Sequence, residues 1–243
     1  MAEQGIIYQR KLWMGAYEIP YIQSLRVATD IEGQDDTIFG DTGRSEAPGL
    51  EVPVLEAAGL FGAGAATEPD QILASYLTTN DVPVSVGAVA SADGDPAYFF
   101  RARTASYSPG GAVGEMLRYD VSARGRGHPL IPGTILTSKS VSATENSTSV
   151  QVGSVAATRK VYAVLHVTAV SGDRTLTATI RSFQLSDKSG AVIRISFTAP
   201  VSAIGYEYAI PVSGTINDTW WDTRWIIGGT TGSITATVLM GIR

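Results

Sequence analysis

The chain has 243 residues, a formal net charge of −5, 44% hydrophobic residues and 17% charged residues. It contains no cysteine and two histidines, His128 and His166, which excludes disulfide frameworks, cysteine nucleophiles and thiolate or multi-histidine metal sites. Residues 1–140 carry 10 Lys and Arg against 17 Asp and Glu, and residues 141–243 carry 8 against 6. A general nucleic-acid binder shows the opposite, basic balance.

The first residues, MAEQGIIYQRK, lack the apolar segment of a secretory signal. No apolar run approaches the roughly 18 residues that a membrane helix needs. We therefore expect a protein that is made and folded in a cytoplasm and makes no membrane contact.

A first strand is predicted over residues 21–31, followed by a loop over residues 32–49 that contains four glycines. Loops of this length are uncommon inside compact domains. Two interpretations stay open: a mobile surface loop, or a contact arm that docks on a neighbouring subunit through Ile38, Phe39 and Arg44. A second strand is predicted over residues 50–61.

A helix is predicted over residues 67–77 (TEPDQILASYL). Thr67 can cap its N-terminus, and Pro69 is tolerated in the first turn. Ile72, Leu73 and Tyr76 form an apolar stripe that would pack on a sheet.

A long hairpin is predicted over residues 97–126, with its turn at Pro109-Gly110. Its second strand alternates strictly, and one face of that strand carries Val113, Leu117, Tyr119, Val121 and Ala123. The other face carries Met116, Arg118, Asp120, Ser122 and Arg124. One face is therefore buried and the other meets solvent or a partner. We expect the hairpin's outer face to be completed by a second copy of the chain, because a lone hairpin is marginally stable.

The Ser/Thr-rich segment 141–149 is predicted to connect two domains, a β domain over 1–140 and a β-sandwich over 150–243. The second domain is predicted because short strands with turn signals recur evenly and no helix pattern interrupts them. An immunoglobulin-like or jelly-roll-like arrangement would satisfy this pattern.

The sequence gives little support for a catalytic or metal-binding site. No GxSxG motif accompanies the histidines, and Asp93-Gly94-Asp95 lacks the later ligands of a calcium loop. We expect no enzyme activity, cofactor or metal. Trp221 and Trp225 share one face of a strand and have two interpretations, a sandwich core, which we favour, or an exposed platform for glycans.

Several segments resemble the major tail tube proteins of long-tailed bacteriophages and related phage-tail-like particles. They are TIFGDTGRSEAPGLEV, AYFFRARTASYSPGGAVGEMLRYDVSARG, IPGTIL, VYAVLHVTAVSG and INDTWWDTRWIIGGTTGSITATVLMGI. The resemblance implies a mainly β fold, a tail-tube-type barrel or sandwich with one flanking helix, here followed by a C-terminal β-sandwich that decorates the outside.

The resemblance also implies function. Six copies would form a ring, and stacked rings would form a virion tail tube, assembled in the host cytoplasm with other tail proteins. DNA would transit the lumen without specific binding, past an acidic wall that lets it slide. Contacts between subunits are expected at Arg101, Arg103, Arg118 and Arg124. The alternative is a carbohydrate- or receptor-binding virion protein that acts through the C-terminal sandwich.

Overall fold

A computed structural model of the chain describes residues 10–35, 46–77, 81–89, 91–112, 114–125, 127–198 and 201–243. These residues form seventeen strands and one helix, α1 (Pro69–Tyr76). The strands up to residue 141 are β1 (Lys11–Met14), β2 (Tyr17–Glu18), β3 (Ile22–Asp35), β4 (Glu46–Leu60), β5 (Val82–Gly87), β6 (Pro96–Gly110), β7 (Arg118–Gly125) and β8 (Ile131–Val141). Those that follow are β9 (Glu145–Asn146), β10 (Val150–Gln151), β11 (Lys160–Val170), β12 (Thr175–Phe183), β13 (Val192–Ser196), β14 (Gly205–Tyr208), β15 (Val212–Ser213), β16 (Trp220–Gly228) and β17 (Ile234–Ile242). The predicted mainly β fold with one helix is confirmed.

The chain folds into two compact units. The first, called here the sheet unit, consists of Tyr21–Val82 and Phe100–Leu130. The second, called the sandwich unit, consists of Met1–Pro20, Pro83–Phe99 and Ile131–Arg243. Strand β6 contributes residues 96–99 to the sandwich unit and its remaining residues to the sheet unit.

This division differs from the predicted one, which separated residues 1–140 from residues 150–243. Strand β8 pairs with β17 from Gly133 to Val141, so it folds with the C-terminal strands rather than with its predicted domain. Residues 145–146, inside the predicted connecting segment, form β9 and pair with β16. Pairing between strands about 100 residues apart therefore sets the units.

The sheet unit is an antiparallel sheet with the strand order β3-β4-β7-β6. Strands β3 and β4 pair from Ile22 opposite Gly59 to Asp35 opposite Glu46. The predicted loop over 32–49 is thus partly strand, and only its middle lies outside the described residues. The predicted turn at Pro109-Gly110 was wrong in position, because these residues end β6 and pair with Tyr119 and Arg118.

The sandwich unit contains two sheets. One has the order β14-β11-β17-β8 and continues through residues 96–99 of β6 to β5, β1 and β2, and the other has the order β10-β16-β12-β13. Their facing side chains form one hydrophobic core, to which β11, β12, β16 and β17 all contribute. Leu176, Ala178 and Ile180 of β12 point into this core, as their alternation predicted. The predicted C-terminal β-sandwich architecture is therefore present.

A polar clasp joins two turns of the sandwich unit. The Asp173 carboxylate accepts hydrogen bonds from the backbone N–H groups of Thr230 and Thr231, at 3.0 and 2.7 Å, and from both threonine hydroxyls. These hydrogen bonds hold the pKa of Asp173 well below its usual range, and those from the backbone N–H groups have the largest effect. Arg174 donates from the other side to the carbonyls of Gly229, Thr230 and Gly232. The turn before β12 is thereby fixed to the turn before β17.

The described part of the chain contains no helix with the length and apolar character needed to cross a membrane.

Candidate assembly surface

Helix α1 covers one face of the sheet unit. Tyr107 on β6 donates a hydrogen bond to the Asp70 carboxylate on α1, with 2.8 Å between the oxygens. Because Tyr107 lies opposite Val121, α1 lies on the face that carries the buried Tyr119, Val121 and Ala123. Burial, then the hydrogen bond to Asp70, raises the pKa of Tyr107 well above its ordinary value. The predicted buried face of β7 is confirmed for these three residues, whereas Leu117 is exposed.

The covered face is tightly packed around Gly59. A Cβ atom at Gly59 would lie 2.5 Å from the carbonyl oxygen of Tyr21 and 2.6 Å from the hydroxyl of Tyr119. Only glycine therefore fits beneath this tyrosine ring without displacing backbone. Burial raises the pKa of Tyr119 to about 12.

The opposite face of the sheet unit, called here the open face, is exposed to solvent. It is defined by the cross-strand partners that share it: Ser24, Arg26, Ala28, Asp30, Val52, Val54, Glu56, Ala58, Leu60, Arg103, Ser106, Ser108, Gly110, Arg118, Asp120, Ser122 and Arg124. Many of these side chains are small. None of them is a large apolar side chain that is exposed.

Three of the four predicted contact arginines lie on the open face. Arg103 on β6 and Arg124 on β7 are directly opposite one another in the register, and Arg118 lies six residues before Arg124 on β7. All three are exposed, and none makes a side-chain hydrogen bond or ion pair with a residue that the structure describes. Arg26, also on this face, pairs with Glu56 at 3.0 Å.

Arg101, the fourth predicted contact arginine, has a different environment. Its guanidinium donates to Nε2 of His128 at 3.2 Å and lies 3.6 Å from the Asp81 carboxylate. Burial and the positive charge of Arg101 lower the pKa of His128, which suits a neutral imidazole that accepts this hydrogen bond. Arg101 thus belongs to a cluster inside the sheet unit.

Strand β3 is the outer strand of the sheet unit. It has fourteen residues, and within the described part of the chain it pairs with β4 alone. Its register shifts between Ile22 and Ser24 and again between Ile31 and Gly33, so residues 24–31 form an uninterrupted run. This run contains neither proline nor lysine, two residues that commonly block an exposed edge. Its two charged residues, Arg26 and Asp30, are exposed, and Arg26 is paired with Glu56.

Ile38, Phe39 and Arg44, the predicted contact residues of the 32–49 loop, lie outside the described residues. Their role in contacts between subunits stays a prediction.

Trp221 and Trp225 belong to the core of the sandwich unit, and both indole rings are fully buried. Trp221 donates through Nε1 to the carbonyl of Gly153 at 2.9 Å. A glycan platform needs an exposed ring face, so the platform interpretation was wrong and the core interpretation is correct.

Two buried polar clusters of the sandwich unit were not predicted from the sequence. Arg181 makes a bidentate ion pair with Asp222, at 2.9 and 2.5 Å, and Lys188 approaches the same carboxylate at 3.4 Å. His166 donates from Nδ1 to the carbonyl of Gly15 at 2.6 Å, and its Nε2 accepts from the Ser85 hydroxyl at 2.8 Å. The sequence holds no signal for these pairs, because their members lie 41, 151 and 81 residues apart.

The Ser85–His166 pair cannot serve as a nucleophile and its base in this fold. Both residues are fully buried, so no substrate reaches the serine oxygen. Burial lowers the pKa of His166 to about 4, against the smaller, opposing effect of the hydrogen bond to Gly15. The described residues contain no group of three or more side chains arranged to bind a metal ion.

No protein-family profile matches the chain. No curated protein matches it either.

Solved structures that resemble the chain come from tail assemblies. The tail of an empty gene transfer agent particle, refined with C6 symmetry, matches with a TM-score of 0.40 and 18% identity over 53% of this chain and 97% of that chain. The SPP1 tail tube matches with a TM-score of 0.39 and 15% identity over 50% of this chain and 76% of that chain. The SPP1 Dit protein, a hub of the adsorption apparatus, matches with a TM-score of 0.38 and 13% identity, over 96% of this chain and 99% of that chain.

These assemblies are of the class that the sequence motifs resemble. All three TM-scores lie below 0.5.

Proposed function

We propose that the chain is a structural tail protein that assembles with copies of itself into rings. The single observation that carries this proposal is the unpaired edge of β3. Six consecutive residues, 26–31, keep one register against β4 and have no strand partner on the other side of β3 among the described residues. Such an edge is a template for another strand.

The edge also suits a repeating contact. In the sheet unit β3 and β6 are at opposite ends of the strand order. A contact between β3 of one copy and the β6 side of the next uses two different surfaces. Such a contact is heterologous, and it repeats until the ring closes or a helical filament forms. The sequence resemblance predicts closure at six copies, stacking into a tail tube, a location in the virion tail and assembly in the host cytoplasm.

The buried tryptophans offer no exposed platform for the alternative, a carbohydrate- or receptor-binding virion protein that acts through the sandwich unit. A catalytic role has no support either, because the one serine–histidine pair described above is inaccessible.

The experiment is to block the edge of β3 with lysines. Thr29 and Ile31 are exposed, with 57% of Ile31 accessible, and both point away from the open face. We expect wild-type protein to form rings in negative-stain images, with a mass of roughly 150 kDa, six times the 25.6-kDa chain. The T29K/I31K variant should remain a monomer in sedimentation velocity, because lysines on an edge oppose strand addition.

The matched control is T158K/I210K, which places the same substitutions on exposed residues of the sandwich unit and should assemble like wild type. Circular dichroism checks that both variants fold. A wild-type protein that stays monomeric at high concentration would refute the proposal, as would a T29K/I31K variant that forms normal rings. Rings that stack into tubes identify a tube subunit, whereas single rings identify a terminal or hub position.

A further inference from the structure

The open face of the sheet unit carries two like charges side by side. Arg103 and Arg124 are direct cross-strand neighbours, both are exposed, and no described residue pairs with either guanidinium. Like charges in directly opposite positions destabilise a sheet. An anion held between the two guanidinium groups would remove that repulsion.

We infer that the open face contacts a duplex nucleic acid through its phosphates, independently of sequence, with Arg103, Arg124 and Arg118 as the contact residues. This inference rests on the proposed function, since assembled rings would bring several open faces together along one duplex.

The chemistry of the arginines fits a polyphosphate. The guanidinium group is always charged and binds phosphate oxygens in a bidentate manner. Arg118 and Arg124 point to the same side of β7 and are six residues apart, or about 20 Å along the strand. The contact points are therefore spread along an extended ligand rather than gathered around one small ion.

The remaining side chains of the open face leave these arginines accessible. Ser106, Ser108 and Ser122 surround them, and Ser106 and Ser122 share a hydrogen bond of 2.9 Å. Of the three carboxylates on this face, Glu56 is paired with Arg26. The others are Asp30 and Asp120, and Asp120 lowers the attraction for phosphate near Arg118. The four arginines outnumber the three carboxylates by one, although residues 1–140 as a whole are acidic.

The same composition argues against a protein partner on this face. The core of a protein interface is apolar and enriched in aromatic residues, whereas the open face presents no exposed large apolar side chain among its described residues. Single-stranded nucleic acid is also disfavoured, because non-specific binding of single strands relies on stacking against aromatic rings. Phosphates of a duplex remain as the fitting chemistry.

The contact is expected to be weak and salt-dependent. Neutralising two or three phosphates gives a slope of about −2 to −3 in the logarithm of affinity against the logarithm of salt concentration. Contacts of this kind let a duplex move along the surface while it stays centred. On this inference the lumen wall contacts DNA through a few positively charged side chains, in contrast to the acidic wall that the sequence predicts.

The test measures binding of a fluorescently labelled 30-base-pair duplex by anisotropy between 50 and 200 mM salt. All variants are made in the T29K/I31K background, so the measurement does not require rings. We expect R103Q/R124Q to bind about tenfold more weakly at 50 mM salt and to make the slope of log affinity against log salt concentration less negative by about 2. The R118Q variant should make this slope less negative by about 1.

The matched control is R159Q/R224Q, which removes two exposed arginines of the sandwich unit and should leave binding unchanged. R103K/R124K, which keeps the charge, should retain most of the binding. If R103Q/R124Q does not fold, R124Q alone gives the same test with a smaller expected loss.

Equal binding by R103Q/R124Q and the control would overturn the inference and leave the proposed function intact. Loss of ring formation by R103Q/R124Q in the otherwise wild-type chain, with duplex binding unchanged, would also overturn it by assigning the pair to a neighbouring subunit. Normal duplex binding without any wild-type rings would refute only the proposed function.

Discussion

Two pairs of residues, one in each unit, place arginine in contrasting environments. In the sandwich unit, Arg181 is buried and makes a bidentate pair with Asp222, whose side chain is fully inaccessible. In the sheet unit, Arg103 and Arg124 lie beside one another in solvent without an acidic partner among the described residues. Breaking a buried pair destabilises the fold strongly, whereas an exposed pair of like charges itself destabilises the sheet. Under the proposed function, the sheet unit is the part of the chain that binding partners complete.

The strongest test of this contrast removes the buried carboxylate. Asp222→Ala leaves Arg181 and Lys188 without their partner, and breaking a buried pair in this way costs about 3–5 kcal/mol. We expect urea denaturation to show this loss in the free energy of unfolding. Ring formation by the protein that is still folded should be unaffected.

The control for this variant is R181M/D222L, which replaces both members of the pair by apolar residues of similar size and should be close to wild type in stability. A loss below about 1 kcal/mol for Asp222→Ala would mean that the sandwich unit does not depend on this pair.

A second test uses pH and concerns His166, which is fully buried. Its pKa falls from 6.5 to about 4 on folding, so the unfolded chain binds the proton more tightly. The stabilising contribution is therefore complete above pH 6.5 and is lost as the pH falls towards 4. The expected loss is about 3 kcal/mol, at roughly 1.4 kcal/mol for each pKa unit.

The measurement compares the free energy of unfolding of wild type and His166→Gln across this pH range. The difference between the two curves isolates His166 from the carboxylates that titrate nearby. Parallel curves would show that His166 is protonated in the folded protein as easily as in the unfolded one.

The smallest effect concerns the two faces of the sheet unit. Gly59→Ala should destabilise the protein by about 1–3 kcal/mol, because the added Cβ atom meets Tyr119 and the backbone of Tyr21. Gly110→Ala, on the open face, meets no atom within 4 Å and should be near neutral. Thermal unfolding measures both. Equal melting temperatures would show that the covered face repacks freely.

The sequence allowed the faces of strands to be predicted, but not the neighbours of each strand. Alternation in β7 correctly assigned Tyr119, Val121 and Ala123 to the buried side. The spacing of Trp221 and Trp225 correctly placed both rings on one face, and their size favoured the core. These predictions succeed because side-chain direction depends only on local periodicity.

Neighbouring strands depend on long-range pairing, which alternation does not encode. No local sequence pattern shows that β8 pairs with β17. The predicted domain boundary at 141–149 therefore separated two strands that are neighbours in one sheet. The turn at Pro109-Gly110 was misplaced for a related reason. Both residues suit a turn, yet the ladder to β7 continues through them and the chain reverses after Gly110. The predicted role of the hairpin arginines in contacts between subunits stays a prediction, and only the register showed that Arg103 and Arg124 are opposite one another.

The position of β17 between β11 and β8 has a consequence for synthesis on the ribosome. All segments of the sheet unit are available once residue 130 has been made. The sandwich unit must wait for β17, which is made about 100 residues after β8. At translation rates of roughly 5–20 residues per second, β8 stays without this partner for about 5–20 s. During that interval a nascent chain offers the side of β8 that β17 later covers, as well as the edge of β3. Newly made chains are then most exposed to wrong pairing with one another.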